Sequence, residues 1–166
     1  LYFGTRILDQ IGDAGQGGVV TVNQILDSAA IDMNTYFPIW INNMQVFSDS
    51  YNLPLIIYEA GSHIYSNTYF NDPVLVAKKW SCDRDPRMEI LYRDFLDTYY
   101  SLNGSNLLML YDLCDRYDSW TSFGLLEYLD QPQVSAPKWM ACVNYVFNGD
   151  TITADTAPIV VLGPDT

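Results

Sequence analysis

Basic residues are scarce in this chain: 8 Lys and Arg stand against 20 Asp and Glu, a formal net charge of −12. Such a chain is repelled by phosphate backbones and by anionic lipid surfaces, which argues against nucleic-acid and membrane-surface partners. No apolar run approaches the roughly 20 residues that span a bilayer, so no membrane insertion is expected. Histidine occurs once, at His63. The three cysteines, Cys82, Cys114 and Cys142, match no zinc spacing, and neither a metal nor a cofactor is expected. A leading Met and a signal peptide are also missing. Leu1-Tyr2-Phe3-Gly4 reads as the end of a strand already in progress. The sequence therefore reads as a piece of a longer chain, and the missing signal peptide carries no information on location.

What is present is apolar and aromatic. The 166 residues suit one ordinary domain, and 49% are hydrophobic, enough for a sizeable core. Aromatics reach 14%, with 13 Tyr and 4 Trp, which fits a dense core or a sugar-binding cleft; most of them are expected inside. With the acidity, this composition fits a secreted or cell-surface protein that meets a neutral substrate.

Leu53 to His63, LPLIIYEAGSH, is the stretch on which the chain turns. Leu53, Leu55, Ile56, Ile57 and Tyr58 form a nearly unbroken apolar run bounded by Asn52, Pro54 and Gly61. This predicts a strand buried on both faces, as in a parallel sheet. Glu59 then follows where the strand runs out. Strand ends of parallel α/β folds carry chemistry, because their loops converge on one face.

The rest alternates. Thr5 to Gly18 reads as a loop. Thr21 reads as an N-cap, with Val22, Ile25, Leu26, Ala29, Ala30 and Met33 at helical spacing. Pro38 is expected to break or kink this helix before a second segment from Ile39 to Ser48. Ser66 to Asp83 reads as a long aromatic, polar excursion of the kind that forms lids. Asp85-Pro86 opens the next helix, with Met88, Leu91, Tyr92, Phe95, Leu96 and Tyr99 on one face. Asn103-Gly104 stops it, and Leu107 to Tyr111 is a second buried strand ending in Asp112. Asp115 to Ser122 is a polar loop around Trp120, Phe123 to Asp130 a turn or helix start, and Pro137 opens a last helix. This order argues for a parallel α/β sheet with right-handed crossovers. The composition changes after Asn148-Gly149-Asp150, giving two units: residues 1–148, and a tail of 149–166 with an incipient strand at Ile159 to Leu162. A Cys82–Cys114 disulfide is open if their loops are neighbours, Cys142 reads as a buried thiol, and Asn103-Gly104-Ser105 is a glycosylation sequon.

LPLIIYEAGSH, DPRMEILYRDFLDTYY, SLNGSNLLMLYDL, SWTSFGLLEYLDQP and PKWMACVNYV together resemble the last part of clan A-type (β/α)8-barrel glycosidases, notably secreted bacterial proteins with a "YEGGQH"-like segment. The resemblance covers about Leu1 to Phe147. It implies an α/β fold, the C-terminal portion of a TIM barrel from the end of strand six to helix eight. The tail, TAPIVVLGPDT, resembles the first strand of a PKD-type or other immunoglobulin-like module. Ala60 and Ser62 depart from the Gly and Gln of that pattern, and the strand that carries the family's acid/base Glu is not in this sequence.

By that resemblance Glu59 is the nucleophile of a retaining glycoside hydrolase of β-linked polysaccharides or glycosides. Such enzymes need a second carboxyl group about 5–5.5 Å away. That Glu would lie outside this segment, so the segment alone is expected to be inactive. Tyr58 and His63 are candidate donors to Glu59, and His63 equally well braces its loop. Trp120 is the candidate sugar-stacking ring, with Tyr2 and Trp80 as weaker ones. Asp112, Asp115 and Asp118 line the same face or stabilise loops. Glu127 reads as a brace. The expected partners are carbohydrate, the rest of the same polypeptide and further copies of the chain. The competing expectation is a non-catalytic, glycosidase-like carbohydrate-binding or structural protein of an extracellular assembly.

Overall fold

The computed structural model describes residues 1–104, 106–147 and 160–161. The first strand, β1 (Tyr2–Phe3), leads through a turn into a short helix, α1 (Ile7–Asp13). A long helix, α2 (Val22–Ser50), precedes the central strand β2 (Ile57–Ser62). Helices α3 (Pro73–Arg84) and α4 (Arg87–Asn103) follow, then β3 (Leu108–Leu110), α5 (Pro137–Phe147) and β4 (Val160–Val161). All strand pairings are parallel, in the order β1-β2-β3-β4. β1 to β3 carry the body, and β4 adds two residues to the far side of β3.

Helices cover one face of this sheet. Phe3, Ile57, Ala60, Leu108 and Leu110 point into them and are buried. Phe3 meets the rings of Tyr92 and Phe95 at 5.6 and 5.5 Å, and Phe37 of α2 meets Phe95 at 4.8 Å. This aromatic seam joins β1, α2 and α4 into one core.

The sheet overturns the barrel expectation. It is open, with three principal strands, and does not close into the eight-stranded barrel that the glycosidase resemblance implies. The glycoside hydrolase reading, whether as enzyme or as inactive fragment, falls with that architecture. The same holds for the non-catalytic, glycosidase-like alternative, which the fold does not favour over the enzyme. The start of an immunoglobulin-like module lies outside the described residues, apart from the strand at Val160–Val161, which pairs with β3.

Three local expectations also change. The α2 helix runs through Pro38 without breaking. A proline inside a helix costs about 3 kcal/mol, but Phe37 and Ile41, on either side of it, are 1% and 0% exposed. Each buried side chain of this size contributes about 1.5–3 kcal/mol, enough together to offset the proline. The supposed loop at 5–18 contains α1, which buries Ile7 and Leu8. The supposed lid at 66–83 contains α3, capped by the Asp72 carboxylate on the amides of Val74 and Leu75, with Pro73 in the first turn. The Thr21 cap is as expected: with Gln24 it forms a capping box.

The central strand is displaced from its expected position. β2 begins at Ile57, four residues later than the apolar run suggests, and ends at Ser62. Leu53, Ile56 and Tyr58 are exposed at 62%, 53% and 74%. The strand is therefore buried on the helix side only, and Glu59 lies within it rather than beyond its end.

Candidate functional site

The site is built on the uncovered face of the sheet, at the C-terminal ends of β1, β2 and β3. Pairing sets which side chains share that face. Tyr2 lies opposite Gly61, and Ala60 opposite Leu110. Side chains alternate along a strand. Tyr2, Glu59, Gly61 and His63 therefore face one way with Tyr111, while Phe3, Ala60 and Leu110 face the helices. An irregularity between Ile57 and Ala60 leaves both Tyr58 and Glu59 off the helix-packed face. Gly61 sits between Glu59 and His63 with φ 143°, and a Cβ there would stand 3.0 Å from the Tyr92 hydroxyl. A side chain would be strained at that φ and would press on Tyr92 of α4, so a glycine is required.

Tyr2 donates a side-chain hydrogen bond to the Glu59 carboxylate. Burial, and then the Glu59 charge, push the Tyr2 phenol up, so it remains a donor at neutral pH. His63 holds the strand end through its backbone amide, which donates to the Phe3 carbonyl at 2.8 Å. Burial pulls the imidazole below its ordinary range, and the Lys79 charge adds to this; Asp9 and Glu59 act in the opposite sense. The ring is therefore neutral at pH 7. Its Nδ1 is buried and has no hydrogen-bond partner.

Aromatic rings wall this group. His63 stacks on Phe123 at 5.5 Å with an interplanar angle of 13°. Tyr2 meets His63 at 5.3 Å and Phe123 at 5.8 Å. Tyr65 meets His63 at 5.2 Å, and Tyr111 meets Phe123 at 5.7 Å. The belt thus crosses all three strand ends. Phe123 belongs to the loop that also carries Trp120. Trp120 is half-exposed and stacks on Phe70 at 3.9 Å, forming a second aromatic surface.

Asp112 takes the other direction. It is 5% exposed, and burial, with the nearby Asp115 charge, raises its carboxyl to about 6. Its Oδ1 has no hydrogen-bond partner. The charge of Lys138, which forms a buried ion pair with Asp83, acts on it in the opposite sense. That pair is closed at 2.7 Å, and Lys138 also donates to the Ser122 carbonyl at 2.5 Å.

Of the residues singled out from sequence, Tyr2, Glu59 and His63 come together. Tyr58 lies beside Glu59 in the chain but is largely in solvent, and Glu59 receives its tyrosine hydroxyl from Tyr2 instead. Asp112 belongs to the buried charges, and Trp120 to the Phe70 pair. Trp80 donates its indole N–H to the Asp118 carbonyl at 2.9 Å. Asp118 is a loop stabiliser, accepting from the amides of Trp120 and Thr121 at 2.7 Å each. Glu127 braces α3 by a two-pronged pair with Arg84, at 2.9 and 2.5 Å. Sequence reasoning missed Phe123, Tyr65 and Tyr111; only their aromatic type, near strand ends, pointed to them.

Among the described residues, no group of three or more His, Cys, Asp or Glu side chains is arranged to hold a metal. No described helix is long and apolar enough to cross a membrane. The three cysteines are free thiols, so Cys82 and Cys114 are not bridged in this structure. A groove of about 460 Å³ lies elsewhere, between Pro86, Tyr128, Val134 and Met140. It contains no residue predicted to bind, and its Arg84 and Glu127 satisfy each other. The strand-end group, with an unpartnered buried polar atom, is the better candidate.

Comparison with protein-family models, with curated proteins and with solved structures finds no match to this chain.

Proposed function

We propose that the strand ends form a binding site for a small neutral ligand that offers hydroxyl groups and a flat C–H face, a carbohydrate ring being the class to test first. One observation carries this reading: the buried, unpartnered Nδ1 of His63 shares a face with the Glu59 carboxylate and its Tyr2 donor. A buried polar atom left without a partner costs about 1–3 kcal/mol, and a ligand hydroxyl removes that cost. A carboxylate accepts from hydroxyls, a neutral imidazole exchanges hydrogen bonds with them, and aromatic faces pack on C–H surfaces. No bond-breaking role is assigned to Glu59.

The single histidine makes the test direct, because His63 gives the only imidazole resonances in the chain. Titration with cellobiose and other neutral disaccharides, followed by NMR, is expected to move these signals saturably. Glu59→Ala is expected to weaken the response at least about tenfold, the loss of a hydrogen bond to a charged acceptor. His63 signals that stay fixed at millimolar sugar would reject the reading.

A further inference from the structure

Two lysine ammonium groups lie in the interior: Lys79 is 2% exposed and Lys138 is 0% exposed. Lys138 is accounted for by its pair with Asp83. Lys79 reaches from α3 under the 115–124 loop, where its Nζ donates to the carbonyls of Asp118 at 2.9 Å and Thr121 at 3.1 Å. The same nitrogen stands 5.6 Å from the centre of the Tyr65 ring, a member of the belt around His63. The Trp80 indole adds another donor to Asp118, and Lys138 holds Ser122. Three α-helical side chains thus grip the carbonyls of residues 118, 121 and 122, just ahead of Phe123.

We propose that Lys79 is a positioning residue for the strand-end site, a latch that holds the Asp118–Thr121 segment down and so fixes the adjoining Phe123 as its wall. This rests on the reading of the strand ends as a ligand site. The latch responds to pH, and its direction follows from burial. Burial brings the Lys79 ammonium down to about 8. Asp83 on its own helix and Asp118 and Asp115 in the loop pull it up, while Lys138 from α5 pushes it down. Tyr65 and His63 face it from the segment after β2. Opening the loop wets Lys79 and restores its ordinary basicity, so opening takes up a proton above pH 8. Raising the pH therefore favours the closed loop. The neutral amine keeps two N–H donors for the two carbonyls and no longer bears the cost of a buried charge. Lys138 is held charged by Asp83, despite its burial, and does not take part.

Hydrogen exchange of residues 115–124, measured by mass spectrometry from pH 7 to 9.5 and corrected for intrinsic rates, tests this. Protection in the unaltered chain is expected to rise several-fold, with a ceiling of about tenfold per pH unit for one proton. Lys79→Met is expected to lower protection at pH 9.5 about five- to tenfold, by stranding two carbonyls, and to flatten the pH dependence. Protection that is flat or falls with pH in the unaltered chain overturns the latch, and that result stands even if the variant does not fold. An equal slope in a folded Lys79→Met overturns it too. Absence of cellobiose binding at every pH, with the latch signature intact, would reject the ligand site and leave the latch standing.

Discussion

Tyr2 and Glu59 meet across neighbouring parallel strands, the phenol of β1 donating to the carboxylate of β2. The two residues are 57 positions apart in sequence, and the pair ties the first strand to the central one on the face that no described helix covers. Tyr2→Phe keeps the ring in the belt and deletes only the donor. A hydrogen bond to a charged acceptor contributes about 1.5–3 kcal/mol, and partial exposure places this one toward the lower end. Urea denaturation at pH 7 is expected to show a loss of about 1–2 kcal/mol. The wild-type advantage should fade above pH 10, where an unfolded tyrosine ionises and the folded one, pushed up, does not follow until later.

Asp112 is a cost to the fold at neutral pH. Its folded carboxyl sits at about 6, above the unfolded value of 3.8, so the folded chain binds more protons between these limits. Stability supplied by the protonated form is complete below pH 4 and is lost as pH rises through 6. Asp112→Asn removes this dependence. Relative to wild type it should gain up to about 3 kcal/mol on going from pH 4 to pH 7, the equivalent of two pH units. Paired melts at the two pH values measure the difference, and equal gaps at both would refute it.

The Asp83–Lys138 pair is buried on both sides, and breaking it from one side leaves a charge in the core. Lys138→Met alone is expected to cost about 3–5 kcal/mol. Combining it with Asp83→Leu should recover most of the loss, since a buried pair is often replaceable by apolar side chains at little net cost. A double variant as unstable as the single one would show that the Ser122 carbonyl, left without Lys138, carries the effect.

Asn103 is occupied inside the protein. Its Nδ2, the atom to which a glycan would attach, donates to the Leu55 carbonyl at 3.0 Å and to the Tyr99 hydroxyl at 2.7 Å, and the residue is 6% exposed. Tyr99 in turn donates to the Leu107 carbonyl at 3.0 Å, so one network fastens the end of α4 to the approaches of β2 and β3. Expression in a glycosylating host is expected to give chain mass without an N-glycan at this sequon. Asn103→Ala should lose about 1–3 kcal/mol, the cost of leaving buried partners unsatisfied.

The helices with strong apolar periodicity were legible in the sequence, as was the parallel α/β alternation. Thr21, Pro137 and the apolar face from Met88 to Tyr99 are where local chemistry and packing agree. The helices that escaped notice, α1 and α3, are short on periodicity, and α3 buries Lys79 and Asp83, residues that a pattern of hydrophobicity counts as surface. Yet Asp72-Pro73 is the same kind of start signal as Asp85-Pro86, where the helix begins one residue later than expected, with Pro86 at the cap position and the Asp85 carboxylate accepting from the Arg87 amide. β2 was misplaced because Leu53 and Ile56 are apolar but exposed, and hydropathy cannot tell a bare apolar residue from a buried one. The barrel implied by the resemblance to clan A-type glycosidases failed because strand segments constrain the neighbours of a strand, not the closure of the sheet. At the site, Glu59 and His63 stood out by type and position. Their relation to Tyr2 and Phe123 depends on register and on a loop held by buried lysines, neither of which has a local signature.

The uncovered face has a colloidal consequence. Ile56 and Tyr58 lie in water, and on α2 Trp40 and Phe47 are 39% and 67% exposed as well. Apolar surface of this kind draws molecules together, and the charge of −12 keeps them apart. That repulsion vanishes near the isoelectric point of about 4.1, and at 1 M salt it reaches only about 3 Å. Dispersion of this protein is thus an electrostatic property laid over an adhesive surface, and light scattering should rise as acid or salt removes the barrier.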